Sequence, residues 1–241
     1  MTSPEFQIFP TAEATANAVA AHLAKSLQER PALRLGLATG NTFVPIYAAL
    51  LALYRAGGFS FADAMSFNLD EYIGLSKGHP ASFAAYMDRH LFDHVDLPAN
   101  NGLLPDVQGD LDMACRQYEA AIAAAGGIDL QVLGIGRNGH IGFNEPGSPL
   151  DSRTRQVELS SSTRQANRND FPAGESVPHA AVTMGLGTIL AAREILLVAT
   201  GSAKKAALQA AFHMPQSADC PASALQGHPN VMVFCDVAAA G

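Results

Sequence analysis

The sequence predicts an α/β fold, a single domain whose mostly parallel central sheet is flanked by helices on both faces in a Rossmann-like arrangement. Three observations predict it. Short apolar runs alternate with alanine-rich segments of helical periodicity along the 241 residues. The runs are apolar throughout rather than alternating, as strands covered on both faces must be. Each cluster of polar residues sits just past such a run, at the strand end where open parallel sheets gather ligands.

Residues 11–29 form the first predicted helix, with Thr11 as its N-cap and apolar residues at helical spacing. LRLGLAT, residues 33–39, is a short strand. A GNT turn then leads into a helix, FVPIYAALLALYRAGG, that runs down at Gly57 and Gly58. AMSFNLDEY, residues 64–72, reads as one strand with a polar end, and IDLQVLGIG as another. ASFAAYMDRHLF and DLDMACRQYEAAIAAAGG read as helices. Further strands are expected at 180–183, 194–201 and 231–236, with a helix at 203–212 between the last two. The polar segment 161–177 contains Pro172 and Gly174 and is a candidate lid. No repeat or low-complexity linker divides the chain, so one domain is expected over residues 1–241.

Composition narrows the function. With 48% hydrophobic and 15% charged residues, the chain is not of the disordered class. A net charge of −7 and the lack of a Lys/Arg cluster disfavour nucleic acid as a partner. Positive charge for an anionic ligand must therefore be placed locally. The three cysteines, Cys115, Cys220 and Cys235, form no CxxC pair and suggest reduced thiols in the cytoplasm. The N-terminus lacks the basic and apolar regions of a signal peptide, and no apolar run approaches a membrane span, so no membrane partner is expected.

The polar clusters carry the chemistry. Thr39, Gly40, Asn41 and Thr42 form a turn between a strand and a helix N-terminus, where free backbone N–H groups and the helix dipole suit a phosphate. A plain capped turn reads the same way, and the Walker pattern is absent. Lys204 follows Gly201 and Ser202 at another strand end, placed to meet an anion held by such amides. Asp70 and Glu71 stand at a strand mouth, where an apolar wall raises a carboxylate pKa and suits it to general-base work. His140 is a candidate acid/base group, since an imidazole titrates near neutrality. Glu145 could curl back to orient the ring, and Asn138 could be a second orienting partner. The glycines at 134, 136, 139 and 142 let this turn bend tightly and approach a ligand. No serine lies in GxSxG, which argues against an α/β-hydrolase. GIGRNG is followed by a proline and further glycines rather than by a helix, so a dinucleotide site is discounted. The histidines lack metal-ligand spacing, and no metal is assigned.

Taken together, LGLATGNT, FNLDEYIGL, HPASFAAYM, LGIGRNGHIGFNEPG, SRTR and STRQAN resemble the glucosamine-6-phosphate deaminases, in the same order, from about Leu35 to the C-terminus. The resemblance implies a fold of the sugar-phosphate isomerase type. It also implies conversion of glucosamine 6-phosphate and water to fructose 6-phosphate and ammonia without an organic cofactor. By the same likeness His140 opens the pyranose ring, Glu145 and Asn138 hold its imidazole, and Asp70 moves a proton between carbon 2 and carbon 1. Phosphate would sit on the turn at Gly40, Asn41 and Thr42 and on Lys204.

The chain also departs from the family pattern. Asn41 stands where Gly or Ser is common, and Asn169 stands where the family carries a phosphate-binding arginine. Arg168, one place early, is expected to substitute by a local backbone shift. Asn138 replaces the Asp of the allosteric bacterial members, Val157 replaces their Lys, and the C-terminus lacks their long tail. Activation by N-acetylglucosamine 6-phosphate is therefore not expected. Galactosamine 6-phosphate is an alternative substrate, and the related 6-phosphogluconolactonases are the nearest enzymatic rival. A non-catalytic sugar-phosphate sensor is a further reading, against which Asp70, His140 and Glu145 weigh. Monomer and homo-oligomer both fit the sequence.

Overall fold

The structure is a computed structural model that describes residues 4–76 and 78–241. In chain order its elements are β1 (Glu5–Phe9), α1 (Ala12–Glu29), β2 (Arg34–Leu37), α2 (Phe43–Ala56), β3 (Met65–Asn68), β4 (Asp70–Tyr72), α3 (Phe83–His90), β5 (Gly102–Leu103) and α4 (Leu111–Ala124). There follow β6 (Leu130–Gly134), β7 (Arg155–Glu158), α5 (Ser161–Ala166), β8 (Ala180–Thr183), α6 (Leu186–Ile189), β9 (Glu194–Ala199), α7 (Lys205–Phe212), β10 (Val231–Asp236) and α8 (Val237–Ala240). Among the described residues no helix is long and apolar enough to cross a membrane.

Seven strands form one parallel sheet in the order β1-β10-β9-β6-β2-β3-β5. Its central strands are apolar on both faces because helices cover both. Ile195, Leu196, Leu197, Val198 and Ala199 of β9 are all buried, and each such side chain contributes roughly 1.5–3 kcal/mol by leaving water, Ala less. Thr11 caps α1 by accepting from Ala14 N, and α2 ends against Gly57 with a φ of 88°.

The winding decides where a ligand can enter. From β2 the chain moves outward through β3 to β5 at one edge, then returns to β6 beside β2 and proceeds through β9 to β10. Right-handed crossovers then put the connections after β2 and after β6 on opposite faces. The loops leaving these neighbouring strands diverge and leave a crevice at their carboxyl ends. Those loops carry Thr39 to Thr42 and Gly136 to Glu145.

The segment 64–72, expected as one strand, is two. β3 stays in the parallel sheet, whereas β4 pairs antiparallel with β8 in a second sheet of order β4-β8-β7. Leu69 is the pivot: its N–H donates to Leu37 O at 3.0 Å, and its carbonyl accepts from Met184 N at 2.7 Å. The expected strand at 180–183 exists, but it belongs to this smaller sheet. The small sheet has its own core of Tyr72, Phe143, Phe171 and Ala181, with Phe171 set edge-on to Tyr72 at 5.4 Å. The edge strands β1 and β5 and the half-exposed β7 are not foreseen by the sequence pattern.

Candidate active site

The crevice is a cavity of about 780 Å³. Every cluster singled out in the sequence reaches it. Thr39, Gly40, Asn41 and Thr42 line it from the end of β2, Asp70 from β4, Asn138 and His140 from the turn after β6, and Lys204 from beyond β9. Tyr72, Phe83 and Phe143 form an aromatic wall along one side.

At one pole the backbone is arranged for an anion. Gly40 has a φ of 100°, and its carbonyl accepts from Tyr86 Oη at 2.9 Å and from Phe43 N at 2.9 Å. Thr42 is the N-cap of α2, yet its hydroxyl makes no capping bond. Helix α2 thus presents its unsatisfied first turn to the cavity. Lys204 reaches in from the 3-10 turn Ser202–Lys204 and donates from Nζ to Ile135 O at 2.6 Å. Burial lowers its pKa first, and the neighbouring Arg137 lowers it further.

Titratable side chains line the cavity elsewhere. Asp70 is buried, and among the described residues no hydrogen bond reaches its carboxylate. Burial, helped by the adjacent Glu71, pushes its pKa up to about 8. Glu71 points elsewhere and accepts from the N–H groups of Tyr72, Phe83 and Ala84 at 2.8–3.0 Å, which ties β4 to the start of α3.

The turn after β6 holds His140 over Gly136. A methyl on Gly136 would overlap the imidazole, although the backbone there is ordinary and would accept alanine. Gly139, by contrast, has a φ of 80° and packs on Cys220. Gly136→Ala is therefore expected to lower kcat by ~100-fold through displacement of the ring, a scale typical of small misplacements. Its melting temperature should stay close to that of the parent, as calorimetry can check.

Glu145 stands behind the ring. Its Oε2 lies 3.7 Å from His140 Nδ1, an ion-pair distance too long for a hydrogen bond. Asn138 Nδ2 donates to that same oxygen at 2.6 Å, and Ser160 and Thr163 hydroxyls donate to Oε1. His140 and these donors hold the Glu145 pKa down to about 2 against the effect of burial. Asn138 thus differs from expectation. Its amide orients Glu145, and its Oδ1 accepts from the His140 backbone N–H at 3.3 Å, so it does not hold the imidazole.

Arg168 also differs. It is exposed and does not line the cavity. The short 3-10 turn Arg168–Asp170 instead puts Asp170, though exposed, on the rim of the cavity that Asn41 also lines, and leaves Arg168 facing solvent. Two charged lining residues escape the sequence reading. Arg137 sits inside the discounted GIGRNG pattern, and Asp170 carries no motif.

A family model described as glucosamine-6-phosphate isomerases/6-phosphogluconolactonase matches residues 10–233. The chain belongs to this family. Within it, the chain is 50% identical over 228 residues to a glucosamine-6-phosphate deaminase of Hahella chejuensis, covering 95% of this chain and 87% of that one. It is 48% identical to a glucosamine-6-phosphate deaminase of Rhodopirellula baltica, covering 98% and 94%. A solved monomeric glucosamine-6-phosphate deaminase superposes with a TM-score of 0.95 at 42% identity, over 98% of each chain. A 6-phosphogluconolactonase of Trypanosoma brucei superposes with a TM-score of 0.79 at 19% identity over 100% of this chain and 98% of that one, a likeness of fold alone.

Proposed function

We propose that the chain converts glucosamine 6-phosphate and water to fructose 6-phosphate and ammonia, as an aldose-ketose isomerising deaminase without an organic cofactor. One observation carries this reading: Asp70, a buried carboxylate with no hydrogen bond among the described residues, and His140, an imidazole backed by a carboxylate, open onto the same cavity as an uncapped helix N-terminus and a lysine. A lactone hydrolase has no need of a base for a carbon-bound proton.

In this reading the phosphoryl group lies at Thr39, Gly40, Asn41, Thr42 and Lys204, and the pyranose extends toward His140. His140 takes the proton of the carbon-1 hydroxyl and returns it to the ring oxygen, which opens the ring to the aldehyde. Glu145 steadies the imidazolium formed in between. Asp70 removes the proton on carbon 2, giving an enolamine, and delivers it to carbon 1. The product is a ketimine at carbon 2, whose hydrolysis releases ammonia. Every step before hydrolysis is a proton transfer, the kind of step to which a positioned acid or base contributes ~100- to 10,000-fold. Residues 161–177 serve as the lid in this scheme, since Thr163 bonds Glu145 and Asp170 lines the cavity together with Asn41. The partner is a small-molecule amino-sugar phosphate, and the location is cytoplasmic.

Ammonia release coupled to fructose 6-phosphate formation tests the reading directly. Turnover with glucosamine 6-phosphate should exceed that with the galactosamine epimer, and 6-phosphogluconolactone should not be hydrolysed. Lactone hydrolysis without ammonia release would replace this reading with the lactonase one.

A further inference from the structure

The lid brings no positive charge to the phosphate pole. Of the lid residues that line the cavity, Asp170 is the one with an ionisable side chain, and it is an acid. Arg168 is exposed and lies outside the cavity. A phosphoryl dianion held by lysine alone would be half neutralised, with a lid carboxylate nearby.

The opposite wall supplies a second cation. Arg137 lines the cavity from the end of β6, and Lys204 from the end of the adjacent strand β9. Among the described residues the Arg137 guanidinium is in no hydrogen bond or ion pair. Its charge acts with burial to lower the Lys204 pKa, and no carboxylate acts on Lys204 in the opposite sense. The Lys204 ammonium is itself fixed by the carbonyl of Ile135, which precedes Arg137 in the same turn, so both cations are tied to one stretch of chain. Two like charges held together beside free helix amides form a receptor that an anion completes.

Resting on the proposed activity, we infer that Arg137 is a substrate-positioning residue that binds the phosphoryl group together with Lys204, from the sheet side rather than from the lid. An arginine suits this place because its planar fork can engage two phosphoryl oxygens at once, which a lysine cannot.

The test uses wild type, Arg137→Ala, Arg137→Lys and Arg168→Ala. Inorganic phosphate binding is followed by calorimetry, and glucosamine 6-phosphate turnover by ammonia release. Arg137→Ala should weaken inorganic phosphate and raise KM by ~10- to 100-fold, the loss expected for a charge-assisted contact, with kcat changed much less. Arg137→Lys should recover part of this loss, and Arg168→Ala should match wild type in both measurements. Unchanged phosphate affinity in Arg137→Ala, or an equal loss in Arg168→Ala, would overturn the assignment. The calorimetric arm needs no turnover. If wild type releases no ammonia but Arg137→Ala still loses phosphate binding, the activity fails and the anchor stands.

Discussion

Asp70→Asn should leave a protein that binds glucosamine 6-phosphate, turns it over ~1,000- to 10,000-fold more slowly, and melts at a higher temperature than wild type at pH 8. The loss of turnover follows from removing the base while keeping its shape. The gain in melting temperature follows from the environment of that base. Asp70 is buried and receives no hydrogen bond among the described residues, and its carboxyl is pushed up to about 8, first by burial and then by Glu71. Below pH ~4 the folded and unfolded chains both hold this proton, and the group has no net effect on stability. As pH rises from ~4 to ~8 the unfolded chain releases the proton and the folded chain keeps it, so stability falls across that window. Above it the burden stays constant, at ~2–5 kcal/mol. Asparagine has no charge to bury. Its melting temperature should exceed that of wild type by ~5–15 °C at pH 8, and the gap should close by pH 4. Scanning calorimetry across pH checks this. A variant that melts below wild type at pH 8 would show that the carboxylate is stabilising and that its environment is not as described.

The same carboxyl sets the pH dependence of the reaction. A base must be ionised to act, so kcat/KM should rise with pH below about 8, the value at which burial and Glu71 leave Asp70. Glu71→Gln keeps an acceptor for the amides of Tyr72, Phe83 and Ala84 but removes the neighbouring charge. It should move the acid limb to lower pH, which pH–rate profiles of the two proteins would reveal.

Much of this site is legible in the sequence because parallel sheets place chemistry predictably. A buried strand followed by polar residues marks a strand mouth, and this locates Thr39 to Thr42, Asp70, His140 and Lys204 from the pattern of apolar runs. What escapes depends on facts that a local pattern does not hold. Leu69 looks like any strand residue, yet it bonds Leu37 in one sheet and Met184 in the other, and only the distant partner makes β4 a new strand. The half-exposed β7 pairs only with β8 among the described residues, so it is not an element until that strand is in place. Arg168 and Asp170 differ by two positions in one 3-10 turn, and the phase of that turn decides which of them lines the cavity. Asn138 and Glu145 do group with His140, but which group orients which is set by side-chain rotamers. Arg137 is hidden because a turn of glycines gives no sign of which side chain faces inward.

The second large effect belongs to Glu145, whose environment is the reverse of that around Asp70. Its oxygens accept from Asn138, Ser160 and Thr163, and His140 lies 3.7 Å away. These groups favour the charged form and hold its pKa down to about 2. Glu145 therefore stabilises the fold wherever the unfolded chain's carboxylate is ionised, and that contribution is lost as pH falls from ~5 toward 2. Glu145→Gln should melt below wild type at pH 7, and the deficit should shrink as pH is lowered through this range. The same substitution removes the charge that steadies the imidazolium during ring opening. It should lower kcat by ~100- to 1,000-fold with KM nearly unchanged, since Glu145 does not line the cavity. Two carboxylates, Asp70 in the crevice and Glu145 behind the His140 ring, are thus driven apart in pKa by opposite surroundings, which is how groups of one type take different parts in proton transfer. An open-ring substrate analogue separates their roles: it needs no ring opening, so it should restore much of the rate in Glu145→Gln and none in Asp70→Asn. Equal rescue of both variants, or of neither, would mean that the division of labour between His140 with Glu145 and Asp70 is wrong.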